Sequence, residues 1–132
     1  MKLDREMMRG AGPTAVLQLL SDGEMYGYEI VEALPLRSSG VFKLGQSTLY
    51  PMLYNLEAKG LVTSRQKVGS NGRTRRYYRL TSKGTKQLVK DREQWAAMVK
   101  GMGALGLTCL GGGSQGASKS RSGQLGLGGA SA

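Results

Sequence analysis

The sequence has no histidine and a single cysteine, Cys109, in 132 residues. Lack of histidine removes the commonest general base and metal ligand, and one cysteine excludes an intrachain disulfide or a four-cysteine zinc site. Catalysis would need a nucleophile beside a base, or a metal cluster, and these side chains supply neither, so neither enzyme activity nor a cofactor is expected. No run approaches the roughly 18 consecutive apolar residues that span a bilayer. Met1 opens into the charged stretch 2–9 without an apolar signal core, which makes a reducing cytoplasm the expected compartment. Acids are scarce too, with 9 Asp and Glu against 19 Lys and Arg and a net charge of +10. That excess implies a polyanionic partner, nucleic acid ahead of a membrane surface.

One core fits this length better than two, because a domain usually occupies about 100 to 200 residues. The 21 glycines are unevenly spread, and from residue 101 the chain reads GMGALGLTCLGGGSQGASKSRSGQLGLGGASA. Such a stretch has too little bulky apolar surface to offset the entropy of ordering, so most of it is expected to be a flexible extension. Its only charges are Lys119 and Arg121, which leaves the basicity with the domain. Within the domain, residues 61–80 carry Arg65, Lys67, Arg73, Arg75, Arg76 and Arg79 and no acid.

Periodicity and punctuation predict the element order helix, helix, helix, hairpin, helix. Pro13 suits the first turn of a helix through Val16 and Leu20 that ends at Ser21-Asp22-Gly23. Tyr26, Ile30 and Leu34 recur at helical spacing in a second helix, which Pro35 is expected to stop. A short extended stretch at 41–44 precedes a third helix from Ser47 to the cap at Gly60, with Leu49, Leu53 and Leu56 as its buried stripe. Pro51 then falls in the first turn of that helix, where its missing amide costs little. Residues 61–68 and 73–80 read as a hairpin about Asn71-Gly72. Thr81 can cap a long last helix whose apolar positions include Leu88, Trp95, Val99 and Met102.

Two helices under a third, followed by a basic hairpin, form the layout of a winged helix-turn-helix, whose third helix enters the major groove of DNA while the wing reaches phosphates. Opposite its buried stripe, helix three carries Ser47, Pro51, Tyr54, Asn55 and Ala58, with Tyr50 at the edge. Small hydroxyls and an amide near a helix N-terminus can bond phosphate or base edges, and Gln46, just before the cap, can read adenine. A turn centred on Asn71-Gly72 places Lys67 opposite Arg76, a like-charged pair that a polyanion would relieve. Arg73 and Arg75 make both faces of the wing tip positive, while Tyr78 and Leu80 root its base in the core. Tyr26 and Tyr28 are expected to pack helix two, and Cys109 to be an incidental thiol.

MYGYEI at 25–30, STLYPMLYNLEAKGLV at 47–62 and GRTRRYYRLTSKG at 72–84 together resemble the PadR family of winged-helix transcriptional regulators. The resemblance covers residues 10–100. It implies a bacterial homodimeric repressor that leaves its double-stranded DNA operator when a small molecule binds. By position it puts residues 46–48 and Tyr50 at the DNA surface, and Gly72 and Arg73 at the wing tip. The remaining proposed contacts, Tyr54, Asn55, Lys67, Asn71, Arg75 and Arg76, come from the side chains themselves. A lone amphipathic helix has no evident internal partner for Leu88, Val89, Trp95, Met98 and Val99, which are therefore expected to meet a second subunit. Room for one C-terminal helix resembles the short class of the family, some of which bind flat aromatic compounds at the dimer interface. Trp95 is the candidate to stack on such an effector.

The expected organisation is mainly α with a small β-hairpin wing. Residues 1–81 form the winged helix-turn-helix, with 1–9 as an N-terminal arm, 82–102 the dimerisation helix, and 103–132 a disordered Gly-rich tail. A winged-helix protein-interaction module and a non-specific nucleic-acid binder are the competing readings. Lysine is usually depleted at protein interfaces, which disfavours the first, and the defined face of helix three disfavours the second.

Overall fold

A computed structural model describes residues 1–108. The elements are α1 (Arg5–Leu20), β1 (Met25–Tyr26), α2 (Gly27–Arg37), α3 (Gln46–Ala58), β2 (Val62–Val68), β3 (Thr74–Leu80) and α4 (Ser82–Leu105). The three strands form one antiparallel sheet in the order β1-β3-β2. The fold is mainly helical with a small sheet as its wing. β1 is an addition to the expected hairpin, and at two residues it is too short to show an alternation of its own.

α1 begins eight residues before Pro13. The Asp4 carboxylate accepts the Met7 N–H at 3.0 Å and caps the helix there, so most of the expected arm is helical. Pro13 lies inside it, where its missing amide removes the helical bond to the carbonyl of the exposed Arg9. Pro35 likewise sits within α2, which ends at Arg37. Its last turn is held by the Ser38 hydroxyl, which donates to the Leu34 carbonyl at 2.6 Å and accepts the Phe42 N–H at 2.9 Å. The connection at 41–44 joins no strand but places Leu44 in the core.

α3 starts at Gln46 with Gly45 as its N-cap, so Pro51 falls in the second turn and removes one bond of the ladder. Its end is a Schellman motif. Leu61 N–H donates to the Leu56 carbonyl at 3.0 Å and Gly60 N–H to Glu57 at 2.9 Å, with Gly60 at φ +77°. Leu49, Leu53 and Leu56 are buried against Val16, Leu17, Ile30, Val62 and Tyr78 in a single core.

The hairpin register is one residue away from a turn centred on Asn71-Gly72. Val62 faces Leu80, Ser64 faces Tyr78 and Lys67 faces Arg75. Gly69 N–H donates to the Arg73 carbonyl at 2.7 Å and Gly72 N–H to Gly69 at 3.0 Å, with Gly72 at φ +79°. This is a three-residue loop with its glycine in the left-handed region. The expected centre would have paired Tyr78 with Arg65 and put the buried Val62 and Tyr78 on opposite faces. Their shared burial selects the observed register.

The Thr81 hydroxyl accepts the Gly84 N–H at 2.9 Å and caps α4. A side chain at Gly84 would collide with the Leu61 carbonyl, so this glycine lets the first turn of α4 close on the α3–β2 corner. The chain divides into a unit of Met1–Val89 and a second beginning at Lys90, which gives the first two turns of α4 to the winged unit. α4 runs three residues past its expected end. It closes in another Schellman motif, in which Leu107 N–H donates to the Met102 carbonyl at 2.9 Å and Gly106 N–H to Gly103 at 3.0 Å. Cys109 and most of the expected tail lie outside the described residues.

Candidate nucleic-acid interface

Burying Leu49, Leu53 and Leu56 forces the other face of α3 outward, and Gln46, Ser47, Thr48, Pro51, Tyr54, Asn55 and Ala58 are exposed. Gln46, expected just ahead of the cap, is the first helical residue and joins this face. Tyr50 is half-buried, with its ring lying where a side chain at Gly27 would stand. The glycine of the MYGYEI segment is therefore the seat of Tyr50 on the start of α2, so Tyr50 packs and also borders the exposed face.

Between the start of α2, α3 and the wing opens a cleft of about 490 Å³. Tyr28, Tyr50 and Tyr54 line it from the helices, and Arg73, Arg75 and Arg76 from the wing. Tyr28, expected to pack helix two, is 48% exposed. Tyr78 forms the buried floor, where desolvation raises its phenol pKa and keeps it neutral. Arg76 is held in place by a relay. Its guanidinium donates to the Ser64 hydroxyl at 3.0 Å, and that hydroxyl donates to the Glu57 carboxylate of α3 at 2.7 Å.

Lys67 does not join this group. On the opposite face of the sheet it donates to Glu24 at 2.6 Å and lies 4.3 Å from the centre of the Tyr77 ring. Arg65 reaches the same carboxylate at 3.2 Å. Next to them Tyr77 meets Tyr26 edge-on at 5.4 Å, and Arg75 covers Tyr26 at 4.3 Å. Lys67 first, then Arg65, holds the Glu24 carboxyl down to about 2 by hydrogen bonding, so it stays ionised at ordinary pH. The hairpin itself has no acid, yet its like-charged Lys67 and Arg75 are relieved within the chain. Glu24 precedes Lys67 by 43 residues, and the β1–β3 and β2–β3 pairings together bring them close. At the wing tip Asn71 and Gly72 are exposed, and the Asn71 side chain accepts the Arg73 N–H at 3.1 Å.

The family model described as the transcriptional regulator PadR-like family matches residues 16–90. The chain belongs to that family. A transcriptional regulator of Mycobacterium tuberculosis is 39% identical over 88 residues, covering 67% of this chain and 78% of that protein. A PadR family regulator from Eggerthella lenta is similar in structure, at 34% identity and a TM-score of 0.64, covering 76% of this chain and 85% of its own. A PadR-like regulator from Bacillus cereus matches at 27% identity and a TM-score of 0.69, covering 76% and 95%. The PadR-like match spans the α3 face and the whole wing, and assigns the protein to transcriptional regulators rather than enzymes.

Of the residues expected to meet a second subunit, Leu88 is instead a core residue at 2% exposure. It shares its helical spacing with Trp95, but its turn of α4 is packed within the Met1–Val89 unit. Val89, Trp95, Met98, Val99 and Met102 are exposed. Among the described residues no helix is long and apolar enough to cross a membrane, and no three His, Cys, Asp or Glu side chains gather as metal ligands.

Proposed function

We propose that this PadR-like regulator binds an operator sequence-specifically as a homodimeric, ligand-responsive repressor in the bacterial cytoplasm. α3 enters the major groove with Gln46, Ser47, Thr48, Tyr54 and Asn55 towards the bases and backbone, and Tyr50 at the margin. Asn71, Gly72, Arg73, Arg75 and Arg76 carry the wing onto flanking phosphates, while Glu24 keeps Lys67 aside. The observation that carries this reading is that Tyr50 and Tyr54 of α3 and three wing arginines line one cleft, beside the exposed residues of α3. For the dimer, the support is the run Trp95, Met98, Val99 and Met102, four exposed apolar side chains at helical spacing on α4. A second copy covering that run would bring two Trp95 rings together, a surface suited to a planar aromatic effector.

An electrophoretic mobility shift on the protein's own promoter, with scrambled DNA as competitor and several salt concentrations, tests the proposal. The expected result is a discrete complex that resists the competitor. With 6 to 10 phosphates neutralised, its affinity should fall by about 10³ to 10⁵ between 50 and 200 mM salt. A complex insensitive to salt, or one that any DNA abolishes, would overturn sequence-specific binding.

A further inference from the structure

We propose that a second cavity, between the start of α1 and the start of α3, is a binding site for a small amphipathic anion, a carboxylate on an apolar body. The cavity measures about 700 Å³, a size common among small-molecule sites. Its floor is apolar, made of Leu3, Met8, Leu44 and Met52. Met52 reaches into the space that Gly12 leaves free of a side chain, so the floor joins α3 to α1.

Four cations surround that floor: Lys2 ahead of α1, Arg5 and Arg9 on α1, and Lys43 on the connection into α3. Arg5 and Arg9 stand four residues apart, on the same face of the helix, where like charges repel. None of the four has an ion-pair partner among the described residues. Asp4 also borders the cavity and lowers its charge by one, but its carboxylate accepts the Met7 N–H and forms no ion pair with any of the four. The four are exposed and hydrated, so they cost nothing when the cavity is empty, yet they concentrate positive charge at the rim of an apolar hollow. They match a ligand that offers one anionic group and one greasy body. A fully charged partner such as phosphate would leave the methionine and leucine floor unused, and an uncharged apolar one would leave the cations unpaired.

The cavity also touches Gly45 and Thr48, so its occupant would lie against the first turn of α3. Where that turn reads DNA, as proposed above, the occupant would oppose operator binding. Occupancy itself does not depend on that reading, and the two are measured separately.

The test uses full-length protein with ¹³C-labelled methionine methyl groups, titrated with decanoate below its micelle concentration. Met8 and Met52 report this cavity, and Met98 and Met102 report α4. Decanoate is expected to move Met8 and Met52 and leave Met98 and Met102 in place. Decanol, with the same chain and no charge, should bind about tenfold more weakly, as for loss of one charge-assisted contact. Lys43→Gln combined with Arg9→Gln, both at exposed positions, should weaken decanoate by at least as much and leave decanol unchanged. Unmoved Met8 and Met52, shifts at Met98 and Met102 alone, or equal binding of decanol would each overturn the site. So would a duplex oligonucleotide moving Met8 and Met52 where decanoate does not, which would assign the four cations to the DNA footprint. Decanoate binding without release from DNA would leave the cavity standing and remove only its link to α3.

Discussion

Glu24→Gln keeps the side chain's shape and removes the charge that Lys67 and Arg65 share at 2.6 and 3.2 Å. Both cations are then free to turn towards a bound polyanion, Lys67 most readily, because it lies two residues before Gly69, where the wing loop begins. Each cation that gains a phosphate steepens the fall of log affinity with log salt by about 0.9, so the variant's slope should exceed the wild type's by about 0.9 to 1.8 per protomer. Between roughly 50 and 200 mM salt its excess affinity should shrink by about 3- to 12-fold. Fluorescence anisotropy of labelled promoter and scrambled duplexes across that range measures the slope directly. Both duplexes should bind the variant more tightly at low salt, with little change in their ratio, because phosphates carry no sequence. The difference should be constant from pH 5 to 8, since the folded-state pKa of Glu24 lies near 2, below its ordinary 4.5. A depressed pKa gives a contribution that is complete above the ordinary value and lost as pH falls towards the folded one, so the clamp should loosen only in acid. An unchanged slope, or weaker binding to both duplexes, would show that Glu24 does not hold wing charge in reserve.

The other expectations concern single contacts. Leu88→Ala should cost about 2–5 kcal/mol as a core truncation and lower the melting midpoint by roughly 10–20 °C at fixed concentration. An unchanged midpoint with altered self-association would return Leu88 to an interface. Gly27→Ala should push the Tyr50 ring off α2 and cost about 1–3 kcal/mol in urea unfolding, and an unmoved midpoint would mean that the ring is not seated there. Arg73→Ala with Arg75→Ala should weaken promoter and scrambled DNA alike. Gln46→Ala should instead reduce discrimination between them by about 1–3 kcal/mol, and discrimination left intact would remove Gln46 from base readout.

Sequence pattern located those parts of the fold whose causes are local. Leu49, Leu53 and Leu56 declare their face by spacing, Gly60 and Thr81 mark helix ends by their own chemistry, and Tyr78 falls where a strand enters the core. The three prolines each suggest a helix end that the structure places elsewhere, Pro51 because α3, capped by Gly45, starts one residue earlier than expected. Pro13 and Pro35 were natural choices for a helix start and a helix stop, but the Asp4 cap and the Ser38 bonds set the ends elsewhere. Leu88 shows a second kind of limit, since a core residue and an interface residue on one amphipathic helix have the same periodicity. The PadR-like family, the winged fold and the outward residues of α3 were all readable. Glu24 beneath Lys67 and Gly27 beneath Tyr50 were not, because each depends on chain segments far apart in sequence and close only after folding.

The three-residue loop of the wing also separates register from reach. Val62 and Tyr78 share the inward face because Val62 pairs with Leu80 and Ser64 with Tyr78, and hairpin loops of about two to five residues can close that same ladder. A slip of the pairing itself by one residue would turn one of the two out of the core, and their burial opposes it. The tip can therefore change length, carrying more or fewer cations towards a partner, while the buried root of the wing stays as it is.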